Sequence, residues 1–241
     1  MSESCLPLLQ HMNILRYILF GIGLLRFNSA YSQELAQVSF SNGTSFSYFS
    51  LLTDREVLIR ISPEGKILEW GIEVQSMYSG NYFARNLQPY MGRIEYYGSE
   101  ADSVSKGKLK SIGSAVITYY QGYETADLVG KIRSIGRIFF DYYGRYDQKS
   151  VQGKIKFMGS SAIEYYQGFD DPQLQGNLKT VGSTAIRYYS SFDDKAIRGK
   201  IKSIGNTQYS WYSSLDRPGF GGTLKSGPLR QNTGGVVYII Q

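Results

Sequence analysis

Six glycines, Gly107, Gly130, Gly153, Gly176, Gly199 and Gly222, follow one another at a constant interval of 23 residues. A fixed period of this length means that one small supersecondary unit is copied along the chain. With that glycine as position one, position three is always aliphatic: Leu109, Ile132, Ile155, Leu178, Ile201 and Leu224. Position four is always basic: Lys110, Arg133, Lys156, Lys179, Lys202 and Lys225. Glycine returns at position seven in five copies: Gly113, Gly136, Gly159, Gly182 and Gly205. Positions thirteen and fourteen hold an aromatic pair: Tyr119-Tyr120, Tyr142-Tyr143, Tyr165-Tyr166, Tyr188-Tyr189 and Trp211-Tyr212. Position eighteen is acidic: Glu124, Asp147, Asp170, Asp193 and Asp216.

Each copy reads as a β-hairpin. Its first strand is expected from about position twenty-two of the preceding copy to position six, with Ile or Leu alternating with charge. A short turn begins with the position-seven glycine, which suits a hairpin that needs positive φ at its first residue. The second strand covers roughly positions nine to fourteen. A longer loop follows, carrying an aromatic (Tyr123, Tyr146, Phe169, Phe192) and then the acid. No segment has a 3.6-residue period, so helix is disfavoured. A parallel solenoid would stack the position-four cations about 4.8 Å apart in an unneutralised ladder, whereas an antiparallel meander separates them by an intervening strand. The expected fold is therefore all-β, an elongated antiparallel β-hairpin repeat array, with a closed barrel or propeller of the same hairpins as its rival. Alternation along a strand would send the paired aromatics to opposite faces, so that neither face need be fully covered. GKILEWG, residues 65–71, follows the pattern of GKIKSIG, so the array is expected to continue upstream: regular repeats over 107–227, degenerate ones over about 60–106, in a single β domain spanning 33–241.

Residues 1–32 read as an export signal: Arg16, an apolar run from Tyr17 to Leu25, then Ala30-Tyr31-Ser32 ahead of Gln33. The run is too short for a bilayer span, which needs about 20 residues. The alternative is a buried N-terminal helix, and Met12 is an alternative start. Cys5 and His11, the chain's one cysteine and one histidine, both fall in this leader. The mature chain would then lack thiol and imidazole, which excludes disulfides, Cys/His zinc sites and Ser-His-Asp chemistry. The expected location is periplasmic, cell-surface or secreted. Basic residues exceed acidic ones, 26 to 20, but they are spread through the repeats rather than gathered in a stripe, so no nucleic-acid partner is expected.

The run GKIKSIG…YY…FD resembles tandem repeats of secreted proteins from Bacteroidetes-type bacteria, over about residues 60–227. The resemblance implies export and a hairpin array, and brings no activity with it. The spacing is also similar to YD (Rhs) repeats and to 23-residue MORN repeats, both built of hairpins. It departs from the first because Asp147 precedes Gly153 by six residues rather than three, and from the second because closely spaced glycines are missing.

Carboxylates, hydroxyls, Lys and Arg are left for chemistry. Asp170-Asp171 and Asp193-Asp194 are candidate acid pairs for glycoside hydrolysis. Their recurrence at one repeat position favours instead a turn acid or a partner for the position-four cation. One loop supplies too few oxygens for calcium. No catalytic, cofactor-binding or metal-binding residue is assigned. The candidate ligand contacts are Tyr120, Tyr143, Tyr166, Tyr189 and Tyr212, whose rings could stack on a glycan or on an envelope protein, unless they serve to pack the strands together. The function expected is a non-enzymatic scaffold or binding protein; the alternative is a carboxylate-dependent hydrolase of cell-envelope glycans. A transmembrane barrel is set aside because the strands are short and every copy of the repeat carries Lys or Arg.

Overall fold

A two-residue reversal at each position-seven glycine turns the repeats into hairpins. The computed structural model describes residues 34–53, 57–73 and 86–241; the expected leader lies outside them. Four strands come first: β1 (Glu34–Ser41), β2 (Ser45–Leu52), β3 (Val57–Ile61) and β4 (Ile67–Ile72). Then come β5 (Ile94–Tyr96), β6 (Leu109–Ile112), β7 (Ala115–Tyr119), β8 (Ile132–Ile135), β9 (Ile138–Tyr142) and β10 (Ile155–Met158). β11 (Ser161–Tyr165), β12 (Leu178–Val181), β13 (Thr184–Tyr188), β14 (Ile201–Ile204) and β15 (Thr207–Gln208) continue the repeats. β16 (Ser210–Trp211), β17 (Leu224–Ser226), β18 (Arg230–Thr233) and β19 (Val236–Ile240) complete the order. The described residues contain no helix, so none long and apolar enough to cross a membrane.

β5 to β15 form an 11-stranded antiparallel sheet in strict sequence order, an elongated array of hairpins as expected. Met158 pairs with Ser161 across the turn Gly159-Ser160. Gly159 has φ of +59°, and among the described residues Asn42 is the one non-glycine with positive φ. Positive φ at the first turn residue alone is the type II′ reversal, whose twist matches that of the strands.

The opposite end of each first strand holds a feature that the pattern hid. Glu164 pairs with Thr180, but Tyr165 pairs with Leu178, so Lys179 opposes nothing. The same skip falls on Lys110, Arg133, Lys156, Lys202 and Lys225. The position-four cation is thus the extra residue of a β-bulge, recurring once per hairpin. The bulge lets positions three and six, an odd number of residues apart, both face the core; Ile132 and Ile135 are both buried.

Two expectations are corrected at this edge. The aromatic pair does not divide between opposite faces. Position thirteen ends the strand opposite the bulge, and position fourteen already belongs to the loop, so strict alternation stops between them. Tyr120 meets Tyr142 of the next hairpin edge to face, with ring centroids 6.3 Å apart, and Tyr166 meets Tyr188 at 5.7 Å. The first strand begins at position three, not twenty-two. Position twenty-two is a loop residue that plugs into the core, as Val151 and Leu174 do.

The upstream stretch departs from the repeats as well. GKILEWG does close a hairpin, β3–β4, but in a separate six-stranded sheet of order β18-β19-β1-β2-β3-β4. β1 and β19 run parallel in it, Gln37 beside Val237 through Phe40 beside Ile240. Phe40, Phe49, Ile59 and Tyr238 of this sheet share one apolar cluster with Ile112, Ile155, Tyr165 and Ile204 of the repeats. One face of the repeat sheet is therefore covered. Its bulged strands help to hold the cover. The Ile155 N–H donates to the Pro63 carbonyl at 2.8 Å, and the Ile201 N–H to the Gly43 carbonyl at 2.7 Å.

Candidate ligand-binding surface

Opposite the tight turns, each hairpin hands over to the next through a loop at positions fifteen to twenty-two. The position-eighteen acid closes it twice. Its backbone N–H donates to the position-fifteen carbonyl, 2.9 Å from Asp170 to Gln167. Its carboxylate accepts the position-fifteen N–H at 2.6–2.8 Å in all five copies. This is local side-chain capping of a turn, for which Asp is suited. In three copies the carboxylate also pairs with the bulged cation of the following hairpin: Glu124 with Arg133 at 3.3 Å, Asp170 with Lys179 at 3.2 Å, Asp216 with Lys225 at 2.9 Å. The Gln167 N–H, with Lys179 behind it, holds the Asp170 carboxyl below its ordinary value. Lys225 and Ser213 together take Asp216 down to about 2. The recurring acid thus fills both roles foreseen for it, turn acid and cation partner.

Neighbouring loops are stitched to each other. The Ser191 N–H donates to Asp171 at 2.6 Å, and the Ser214 N–H to Asp194 at 2.8 Å. Gly168 makes the same bond to Gln148. The tandem acids therefore face different loops: Asp170 and Asp193 close their own, while Asp171 and Asp194 hold the next. Neither pair flanks a common space. Among the described residues no three acidic, His or Cys side chains gather as a metal site.

The five tyrosines singled out at position fourteen lie inside the array. The Tyr120 hydroxyl donates to the Phe140 carbonyl of the next hairpin at 2.7 Å, and Tyr143, Tyr166 and Tyr189 make the equivalent bond at 3.0–3.1 Å. Each ring also carries the bulged cation over its face, from Arg133 over Tyr120 at 5.8 Å to Lys179 over Tyr166 at 5.2 Å, with Lys156, Lys202 and Lys225 over Tyr143, Tyr189 and Tyr212. Tyr143 is buried and the other four half-buried. Tyr212 packs on Phe220 at 5.7 Å. Hydroxyl, edge and face of these rings are thus mostly taken up within the chain. The position-thirteen rings are deeper still. Burial pushes the Tyr119 hydroxyl up to about 12 and Tyr165 and Tyr188 well above the ordinary tyrosine value.

The free aromatics are elsewhere. Position seventeen places Tyr123, Tyr146, Phe169, Phe192 and Leu215 at the loop tips, 84%, 96%, 99%, 95% and 93% exposed. They form a row, one per hairpin. The sequence signal for them was their recurrence beside the acid; what it could not reveal is that the loop spends its other apolar residue, at position twenty-two, on the core and leaves this one in water. A second aromatic surface is a cleft of about 310 Å³ where the layers meet, lined by Gly65, Trp70, Tyr96, Lys108 and Tyr119.

No protein family, curated protein or solved structure matches this chain.

Proposed function

We propose that this is a non-enzymatic repeat scaffold, exported and surface-associated or secreted, that binds an extended ligand along its row of loop tips. One observation carries the reading: a large apolar side chain recurs at position seventeen, nearly fully exposed in all five copies. A large apolar side chain that recurs in register yet is left in water in every copy is not used by the fold, and aromatic anchors dominate recognition energetics. Repeat arrays suit long or multivalent ligands because each unit adds an equivalent contact. The acids support binding over hydrolysis, since each is committed to backbone N–H groups of the loops. The export signal read in residues 1–32 supports the location.

The test is a screen of the purified full chain against cell-envelope glycans and peptides, run beside a triple variant, Tyr146→Ser, Phe169→Ser, Phe192→Ser. A ligand lost by the triple variant is expected. A hydrolytic turnover abolished by Asp170→Asn but untouched by Asp193→Asn would instead make the protein an enzyme with one privileged acid.

A further inference from the structure

We infer that the ligand of the loop-tip row is a stiff, neutral, β-linked polysaccharide, with one protein ring under every second sugar. The inference rests on the binding reading above and adds the chemistry of what is bound.

Spacing comes first. Successive loops are separated by two strands, about 9.6 Å at ordinary sheet spacing. The separation is fixed, because the sheet sets it and the loop-to-loop bonds from Ser191 to Asp171 and from Ser214 to Asp194 hold it at the tips. A rigid row with a regular interval selects a polymer with a matching repeat. In an extended β-linked polysaccharide successive sugars are flipped about the chain axis, so every second sugar presents the same apolar face, and two sugars span a comparable length. The apolar C–H face of a pyranose is a flat partner for Tyr123, Tyr146, Phe169 and Phe192, and Leu215 marks the end of the row.

Peptides fit less well. An extended strand advances about 3.3 Å per residue, so three residues would span one interval. Three is odd, and side chains alternate, so consecutive contacts would fall on opposite sides of the peptide. A polyproline II chain does return to the same face every three residues, about 9.3 Å. It is bound, however, in aromatic-lined grooves, whereas these rings stand single file on protruding tips.

Charge disposes of the polyanions. The loop edge is balanced: eight acids at positions fifteen to twenty-two (Glu124, Asp127, Asp147, Asp170, Asp171, Asp193, Asp194, Asp216) stand against four bases in the same loops (Arg145, Lys149, Lys195, Arg217) and the five bulged cations behind them. Cations already paired with loop acids or lying over rings leave anionic glycans, nucleic acid and an anionic bilayer surface no net attraction. This balance does not oppose a neutral, hydroxyl-rich chain.

The experiment measures retention of the full chain on microcrystalline cellulose and on chitin, and affinity for soluble β-linked oligosaccharides of increasing length. Binding is expected to at least one of these, strengthening with each added pair of sugars. Phe169→Ser should weaken it about tenfold, as loss of an aromatic anchor does. The triple variant should not be retained, with its melting temperature unchanged. The inference falls if the triple variant binds these polysaccharides as the wild type does, or if affinity is indifferent to length. It also falls, with the row still standing as a binding surface, if ring-dependent binding is found to a proline-rich peptide, to anionic vesicles, or to a second copy of the chain in sedimentation. Absence of ring-dependent binding to any of these probes overturns both the inference and the binding reading.

Discussion

The two edges of the repeat sheet reverse the same chain by opposite means. On the tight-turn edge the reversal takes two residues, and glycine recurs because the backbone at Gly159 requires φ of +59°. On the loop edge the reversal takes twelve residues, 166–177 between β11 and β12, and the acid recurs because it satisfies a loop N–H. Both recurrences have a job inside the fold. The position-seventeen ring recurs with the same regularity and contacts mostly water. The comparison separates two reasons for repetition in an array. A residue repeats either because every unit needs it to fold or because every unit offers it to something else, and burial and hydrogen bonding tell the two apart.

Substitutions can press on that distinction at four strengths. The largest effect is expected where a tight turn also seats the second layer. Gly43 has φ of +62°, and a Cβ there would lie 2.0 Å from the Trp211 ring. Gly43→Val combines backbone strain with an overpacked contact and should cost about 3 kcal/mol or more, visible as a lowered denaturation midpoint in urea. Gly159→Val keeps the strain without the clash, since its Cβ meets Ile138 at an ordinary 3.7 Å. A loss of about 1–3 kcal/mol is expected, or a melting temperature lower by about 2–4 °C per kcal/mol for a chain of this size. If Gly43→Val costs no more than Gly159→Val, the layer contact is not a determinant of stability.

The loop edge should be gentler. Asp170→Asn keeps an acceptor for the Gln167 N–H and gives up an exposed ion pair, so about 0–1 kcal/mol is expected. The acid limb reports the same loops. Asp216 titrates near 2 when folded and near 3.9 when unfolded. Its folded value is depressed, so its contribution is present above about pH 4 and is lost as pH falls to about 2. Asp170, Asp171 and Asp194 are shifted in the same direction. Thermal melts between pH 5 and pH 2 should therefore fall more steeply for the wild type than for Asp216→Asn. The smallest effect belongs to the ring itself. Phe169→Ser should leave the melting temperature within what a surface change of about 0.5 kcal/mol allows. A larger drop would show the ring to be part of the fold, and the comparison of the edges would fail.

The period, the hairpins and the turn chemistry were legible because they rest on local rules at Gly113 through Gly205, where one residue decides one turn. The bulge was not, because Lys-Ile-Lys at positions two to four satisfies simple alternation and gives no hint that Lys179 lacks an opposite residue. The end of the second strand opposite that residue was hidden too: alternation stops between positions thirteen and fourteen, and Tyr120 and its equivalents are packing rings rather than exposed candidates. GKILEWG misled for a related reason. Gly65 has φ of +81°, within the range of the position-one glycines, but Gly71, which matches position seven, lies inside β4 instead of opening a turn, so the same pattern forms the second strand of a hairpin in another sheet. The pairing of β1 with β19 left no trace either, since a parallel neighbour so far along the chain is chosen by the shared core, not by local pattern.

That pairing has a consequence for how the molecule is made. Residues 37–40 sit beside residues 237–240, so the two strands are synthesised at opposite ends of the repeat array. The hairpins between them can pair with their neighbours in order as the chain emerges, although their covered face is completed only by the second sheet. β1 cannot finish. It can pair with β2 early, but its other edge, which pairs residues 37–40 with 237–240, must wait until β19 has emerged. A strand edge left open for the length of synthesis is where wrong partners attach. Folding speed should accordingly be set by this single long-range closure rather than by the number of repeats, and inserting or deleting one hairpin should alter the refolding rate less than weakening β19 does.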